Sequence, residues 1–177
     1  MHMQAPRHTG GRTPCPVARL AVWLTGICAV TLFSGLAIYL APLEPGILAL
    51  QLAFTPRAFG SIIHAWPPEH LARYRAHLPV DGLLLLAYGA FGFLLATRTA
   101  LFSASRAGLG RLAAWTLPLA AAFDAMENVL HAWLTAAPRF GVPLAYAVSA
   151  SASATKWMLL LVFGGLVLHG LLTRVKV

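Results

Sequence analysis

Asp124/Glu127 and Asn128/His131 stand three residues apart and Asp124/Asn128 and Glu127/His131 four, so on a helix all four share a face. Two carboxylates beside an imidazole and a carboxamide can carry protons, hold a buried cation or grip the polar end of a substrate. They sit within a run from Leu109 to Ala137 that is otherwise almost wholly apolar and long enough to cross a bilayer. The chain has only five acidic residues, and two of them are here. Ionised groups in hydrocarbon are costly, so these residues need partners or a purpose.

Partners come from two other segments. Lys156 lies inside an apolar run and shares a helical face with Ser149 and Ser153, in a Ser/Ala-rich stretch that lets helices approach closely. Asp81 and Tyr88 are seven residues apart and so also fall on one face. Pairing Lys156 with Asp124 or Glu127 offsets part of the insertion cost of each. Three carboxylates against one Lys leave surplus negative charge, which suits a protonated carboxyl acting as general acid or proton carrier. Asp124, Glu127, Lys156 and Asp81 are therefore the candidate catalytic residues, and Asn128, Tyr88, His131 and Ser153 the candidate substrate-binding ones. Each also has a plainer role. The Asp124/Glu127/Lys156 set can be a clamp fixing helix register, Asp81 a helix cap and Asn128 a hydrogen-bonding support. Tyr88 and His131 can be packed rings with satisfied polar atoms.

A metal is not expected. Glu127, His131, Asp124 and Asp81 could supply ligands, but there is no H-x-x-x-H, H-E-x-x-H or Cys pair, and Lys156 competes for the carboxylates. No Gly-rich phosphate loop and no Ser-His-Asp setting is present, and no cofactor is implied.

The elements that must position these groups are apolar helices. Of 177 residues, 59% are hydrophobic and 10% charged, far below the ~25% charged typical of soluble domains. The reading is an all-α polytopic membrane protein with the bilayer as its main partner. It has four transmembrane helices, at about 17–41, 80–97, 109–135 and 144–172, and a short amphipathic helical insertion over 42–79. Residues 1–16 form a disordered basic lead, and 17–177 a single membrane domain. Helix 1 exceeds the usual apolar core of a signal peptide and Tyr39 spoils an A-x-A site, so it reads as uncleaved, with cleavage after Ala37 the alternative. Within the insertion, Thr55-Pro56 opens one short helix to about Ala65, and Pro67-Pro68-Glu69 opens another to about His77. The insertion is either a tethering loop with solvated charge or a lid over a site between the helices. Pro118 is expected to bend helix 3. Cys15 and Cys28 are too far apart to bridge.

The net charge of +8 would suggest nucleic acid in a soluble protein, but here the arginines cluster between apolar runs and set orientation instead. With the N-terminus cytoplasmic, the inner segments hold Arg7, Arg12, Arg19, Arg98, Arg106, Arg111, Arg174 and Lys176, and the outer ones Arg57, Arg73, Arg75 and Arg139. The excess inside places both termini in the cytoplasm and the chain in the cell (inner) membrane. Asp124 then lies ~20 Å up helix 3 and Lys156 ~18 Å along helix 4, so both occupy the outer half of the bilayer.

The ordered set Phe54-Thr55, a short helix, Asp81, Tyr88, Asp124-x-x-Glu127-Asn128 and Thr155-Lys156 resembles a group of small bacterial four-helix membrane proteins. The likeness covers roughly residues 48–165 and implies a shared site without a reaction. At the level of fold the chain is also similar to the EXPERA group of emopamil-binding sterol isomerases and sigma-2 receptors, helical bundles with acidic residues in a lipid-facing cavity; the acidic spacing does not correspond.

The function expected is binding of a lipid or isoprenoid-like ligand in a pocket facing the outer leaflet, with acid–base chemistry by Glu127 or Asp124 in the catalytic version. Asp81 would sit at the mouth. The alternatives are a proton- or ion-coupled carrier or channel component, and a non-catalytic membrane assembly subunit. Enzyme or not, ligand identity and oligomeric state are left open at this level.

Overall fold

The computed structural model describes residues 16–102, 106–137 and 139–174. Residues 1–15 of the basic lead, with Cys15, and Lys176 lie outside them. Six helices follow in order: α1 (Pro16–Leu40), α2 (Ile47–Gln51), α3 (Pro56–Ala65), α4 (Pro68–Arg98), α5 (Ala107–Leu134) and α6 (Pro143–Arg174). No strand occurs among the described residues. Proline opens α1, α3, α4 and α6, where its missing N–H costs nothing and its fixed φ suits the first turn. At α3 the Thr55 hydroxyl accepts from the Ala58 N–H at 3.2 Å, which satisfies one orphan donor.

α1, α4 and α6 are long and apolar enough to cross a membrane. α5, with 28 residues, is of similar length, but Arg111, Asp124, Glu127 and Asn128 make it less apolar. All four long helices turn large apolar side chains outward, including Ile38, Leu86, Val129 and Leu161, each more than two-thirds exposed. Water does not tolerate so wide a belt, whereas lipid does.

The long helices pack in chain order, α1 on α4, α4 on α5 and α5 on α6. α1 is held by a single stripe (Val22, Ala29, Leu36 and Leu40), while its remaining faces are mostly exposed. α4 and α5 meet closely at Gly92, where an added Cβ would stand 2.6 Å from Leu117 Cβ. One apolar cluster (Leu84, Leu85, Ala113, Leu117, Ala120, Phe163) fills the bundle on the side of the α4–α5 loop. A second gathers Leu43, Leu50, Phe59, Ile62 and Trp66 onto Tyr74, Leu134 and Tyr146. Residues 43–66 thus pack as a cap over the opposite end rather than as a solvated tether. Cys28 is exposed and unbridged.

One expectation is overturned. The helix expected to begin at 80 and the short helix expected before it are a single helix of 31 residues, with Pro79 inside it. Pro79 removes the donor to the Arg75 carbonyl, which in a soluble helix costs ~3 kcal/mol, yet in a packed membrane helix neighbours compensate. Here His77 Nδ1 bonds the Tyr74 carbonyl one residue earlier. Asp81 consequently cannot be a helix cap: it lies in mid-helix, ~20 Å from the start of α4. Pro118 likewise lies inside an uninterrupted α5.

Candidate functional site

Between the two apolar clusters runs a polar network built from α4, α5 and α6. Its centre is Lys156. The ammonium donates to Asp124 Oδ1 at 2.6 Å and lies 2.7 Å from Glu127 Oε2. The second contact lacks hydrogen-bond alignment, so it acts through charge. All three residues are more than nine-tenths buried. Two carboxylates around one ammonium carry a net −1 if both are ionised.

α4 adds hydroxyls and a carboxylate at intervals of seven. Tyr74 hydrogen-bonds His131 Nδ1 at 2.5 Å, Asp81 Oδ2 accepts from Asn128 Nδ2 at 2.6 Å, and Tyr88 donates to Asp124 Oδ2 at 3.1 Å. These three rungs climb α4 while descending antiparallel α5, from 131 through 128 to 124. Both Asp124 oxygens are therefore engaged, one by each neighbouring helix. His131 Nδ1 stands 3.7 Å from Glu127 Oε1, beyond hydrogen-bond reach, so the path from Tyr88 to Tyr74 is joined by hydrogen bonds only at its two ends, with Glu127 held between them by charge.

Not every expected grouping forms. Asp124, Glu127, Lys156, Tyr88 and His131 are contiguous. Asn128 and Asp81 form a separate pair, so Asn128 supports Asp81 rather than the two α5 carboxylates. The surplus of three carboxylates on one Lys thus reduces to two. Ser153 is fully buried, and its hydroxyl returns to the Ser149 carbonyl at 3.1 Å, while the Ser149 hydroxyl has no partner among the described residues.

The cap closes over this network. The Phe59 ring of α3 lies 5.4 Å from His131 and 5.1 Å from Tyr146. Gln51 of α2 accepts from Trp157 Nε1 at 3.1 Å, and the Trp157 ring lies 5.6 Å from the Lys156 ammonium. Trp66 packs on Tyr74 and donates to the Pro45 carbonyl at 2.8 Å.

Neither of two surface grooves is lined by Asp124, Glu127 or Lys156. One, about 370 Å³, lies at the loop end of α4 and α5 and includes Thr97 and Arg111. The other, about 380 Å³, lies between α1 and α4; Gly35, Leu36, Tyr39, His77 and Val80 are among its walls. Its link to the network is His77, whose ring stands 4.7 Å from that of Tyr74. The Arg73 guanidinium pins the rim, donating to the Tyr39 carbonyl at 3.2 Å and lying 5.3 Å from the Tyr39 ring.

Tyr74, His77, Phe59 and Gln51 are not among the residues expected from sequence. The 74-81-88 spacing is a legible signal only once α4 is known to continue through Pro79. Among the described residues no three His, Cys, Asp or Glu side chains converge as a metal site. No protein-family model matches the chain, and neither a curated protein nor a solved structure matches it.

Proposed function

We propose that this is a four-span integral membrane protein, both termini cytoplasmic, which binds a lipid or isoprenoid-like amphiphile. The observation that carries the reading is the contact of Tyr74 with His77, where the lipid-facing groove between α1 and α4 meets the buried network. A ligand lying in the groove is one ring away from the Tyr74–His131 pair and, behind it, from Glu127. In the catalytic version Glu127 and Asp124, bridged by Lys156, supply and take up the proton, His131 and Tyr74 stand between them and the groove, and the cap keeps water away. α5 counts as the fourth span because its charges are paired inward while Trp115, Leu119 and Val129 face outward.

Glu127→Gln keeps the shape of the network and removes one titratable site. With normal expression, it is expected to change the lipid profile of cells that depend on the protein, and an unchanged profile removes the acid–base chemistry. Topology is checked with Gly141→Cys in a background lacking Cys15 and Cys28. Labelling of intact cells by an impermeant maleimide fits cytoplasmic termini, and its absence alongside labelling in inverted vesicles reverses the orientation.

A second reading has its own support, namely the near-complete burial of Asp124, Glu127 and Lys156 away from either groove. In that reading the triad is a clamp holding α5 and α6 in register inside a non-catalytic membrane subunit. Lys156→Met combined with Glu127→Leu then preserves function, and loss of function in a stably folded double variant excludes it.

A further inference from the structure

The groove at the loop end of α4 and α5 sets an unpaired cation beside an aromatic wall. It encloses about 370 Å³, and Phe93, Thr97, Phe102, Ala107, Arg111 and Trp115 are among its walls. Ala107, Arg111 and Trp115 recur every four residues on α5, so the cation lies one turn nearer the loop than the indole. The Phe93 and Trp115 rings meet edge to face at 5.8 Å. Trp115 is 61% exposed, at the end of the bundle where aromatic rings mark the boundary between hydrocarbon and headgroups. Arg111 is exposed and has no hydrogen-bond or ion-pair partner among the described residues, whereas the Arg106 guanidinium donates to Thr173 of α6. The Thr97 hydroxyl gives its hydrogen to the Phe93 carbonyl at 2.7 Å. Guanidinium and indole are donors only, whichever way they turn. No Asp or Glu lies at this end of the bundle. Glu44 and Glu69 belong to the capped end, and Asp81, Asp124 and Glu127 to the network between.

We infer that this groove binds one phospholipid of net negative charge, its phosphate on Arg111 and an acyl chain along Phe93 and Trp115. Charge complementarity selects the headgroup. A phosphate meets the guanidinium by charge-assisted hydrogen bonds, but the ammonium of a zwitterionic lipid finds no carboxylate here and stands among arginines. The aromatic wall selects a lipid over a free anion, because it offers an inorganic phosphate nothing and an acyl chain a continuous apolar contact. Arg111 lies ~6 Å along α5 from its first residue, within reach of the headgroup level for so long a side chain. The two grooves share no lining residue, so the inference is independent of the amphiphile reading above. Two positions supply controls. Arg98 is exposed at the same end of α4 but does not line the groove, so it carries the charge of that end without the site. Ala107 is exposed and does line it, so a larger side chain there fills the groove from the solvent side.

The test uses the full chain in phosphatidylcholine vesicles with a trace of one of two photoprobes, phosphatidylglycerol or phosphatidylcholine, each carrying a diazirine at the same acyl position. After irradiation, label is mapped by mass spectrometry of peptides from the end of α4 and the start of α5. Phosphatidylglycerol is expected to label them about fivefold more than phosphatidylcholine, the factor implied by one arginine beside one net negative charge. Arg111→Gln lowers phosphatidylglycerol labelling to the level of phosphatidylcholine, and Arg98→Gln keeps the preference. Ala107→Phe lowers labelling by both probes. If that variant fails to fold, Thr97→Phe, at an exposed position on the α4 side, makes the same test. Equal labelling by the two probes in the parent protein overturns the inference. So does an equal loss in Arg98→Gln and Arg111→Gln, which would show a diffuse basic surface and no site. Labelling unchanged in a folded groove-filling variant overturns it as well, as does displacement of the probe by inorganic phosphate at constant ionic strength, since the acyl chain would then contribute nothing.

Discussion

Replacing Lys156 by Met tests the central claim that one ammonium holds two buried carboxylates. Methionine matches the aliphatic stem, so packing changes little. Asp124 and Glu127 lose the cation at 2.6 and 2.7 Å, and their side chains are only 8% and 1% exposed. Removing one partner of a buried pair costs ~3–5 kcal/mol because the charge left behind has no solvation. Two carboxylates are stranded here, so the upper part of that range applies until one of them takes up a proton. Glu127→Gln is different in kind, since the Lys156–Asp124 pair and the Tyr88 hydrogen bond both remain and the surplus charge is gone. Its expected cost is ~1 kcal/mol, the worth of an ordinary hydrogen bond. The triple variant that combines Lys156→Met with Asp124→Asn and Glu127→Gln has no charge left in the triad and should recover most of the Lys156→Met loss.

The assay is reversible unfolding in mixed detergent micelles followed by tryptophan fluorescence. Trp157 adjoins Lys156 and bonds Gln51, so it reports directly on the joint between α6 and the cap. Additivity across the single, double and triple variants measures the coupling. Lys156→Met within ~0.5 kcal/mol of the parent would refute the reasoning, as would a Glu127→Gln cost equal to it, because either result removes the charge imbalance on which the ordering depends.

Three further outcomes follow from the packing. Gly92→Ala should destabilise by ~1–3 kcal/mol, since the new methyl must push Leu117 aside, whereas Gly35→Ala should be silent in the same unfolding assay. Tyr88→Phe should cost ~1.5–3 kcal/mol, the range for a hydrogen bond to a charged acceptor, and should cost nothing extra when Asp124 is already replaced by Leu. Phe59→Ala should cost up to ~3–5 kcal/mol if the cap unfolds with the bundle. Hydrogen exchange that accelerates over 47–65 while 107–134 stays protected would instead show a cap that opens on its own.

Most helix limits were legible because local chemistry marks them. Thr55-Pro56 is a cap followed by a first-turn proline, and the helix begins there. The α5 face was legible because carboxylates in an apolar run have few places to go, and counting depth along antiparallel helices brings Lys156 to the level of Asp124. What sequence could not supply is the rotation of each helix about its axis. Glu127 points at α6 and Asp124 is shared between α6 and α4, but Asn128, one residue after Glu127, turns to α4 and meets Asp81. A face shared to within a third of a turn was enough to separate two sites that looked like one. The cap was legible only as one of two readings of the insertion: Leu43, Leu50 and Phe59 are spaced too irregularly to show an apolar stripe, and only tertiary packing makes them core.

Pro79 is where local rules misled, and the physical reason bears on the site itself. A proline after a polar, basic stretch reads as the start of a membrane helix, because in water that is where prolines are tolerated. Continuing the helix through it adds three turns, and those turns carry Tyr74 and His77. Tyr74 reaches His131 only because it lies seven residues before Asp81 on one unbroken helix. His77 stands against the carbonyl just before the one that Pro79 leaves without its usual donor. A break at Pro79 would detach both residues from the ladder that Asp81 and Tyr88 continue. The same continuity that defeats the sequence rule thus couples the cap, the buried charges and the lipid-facing groove through a single element.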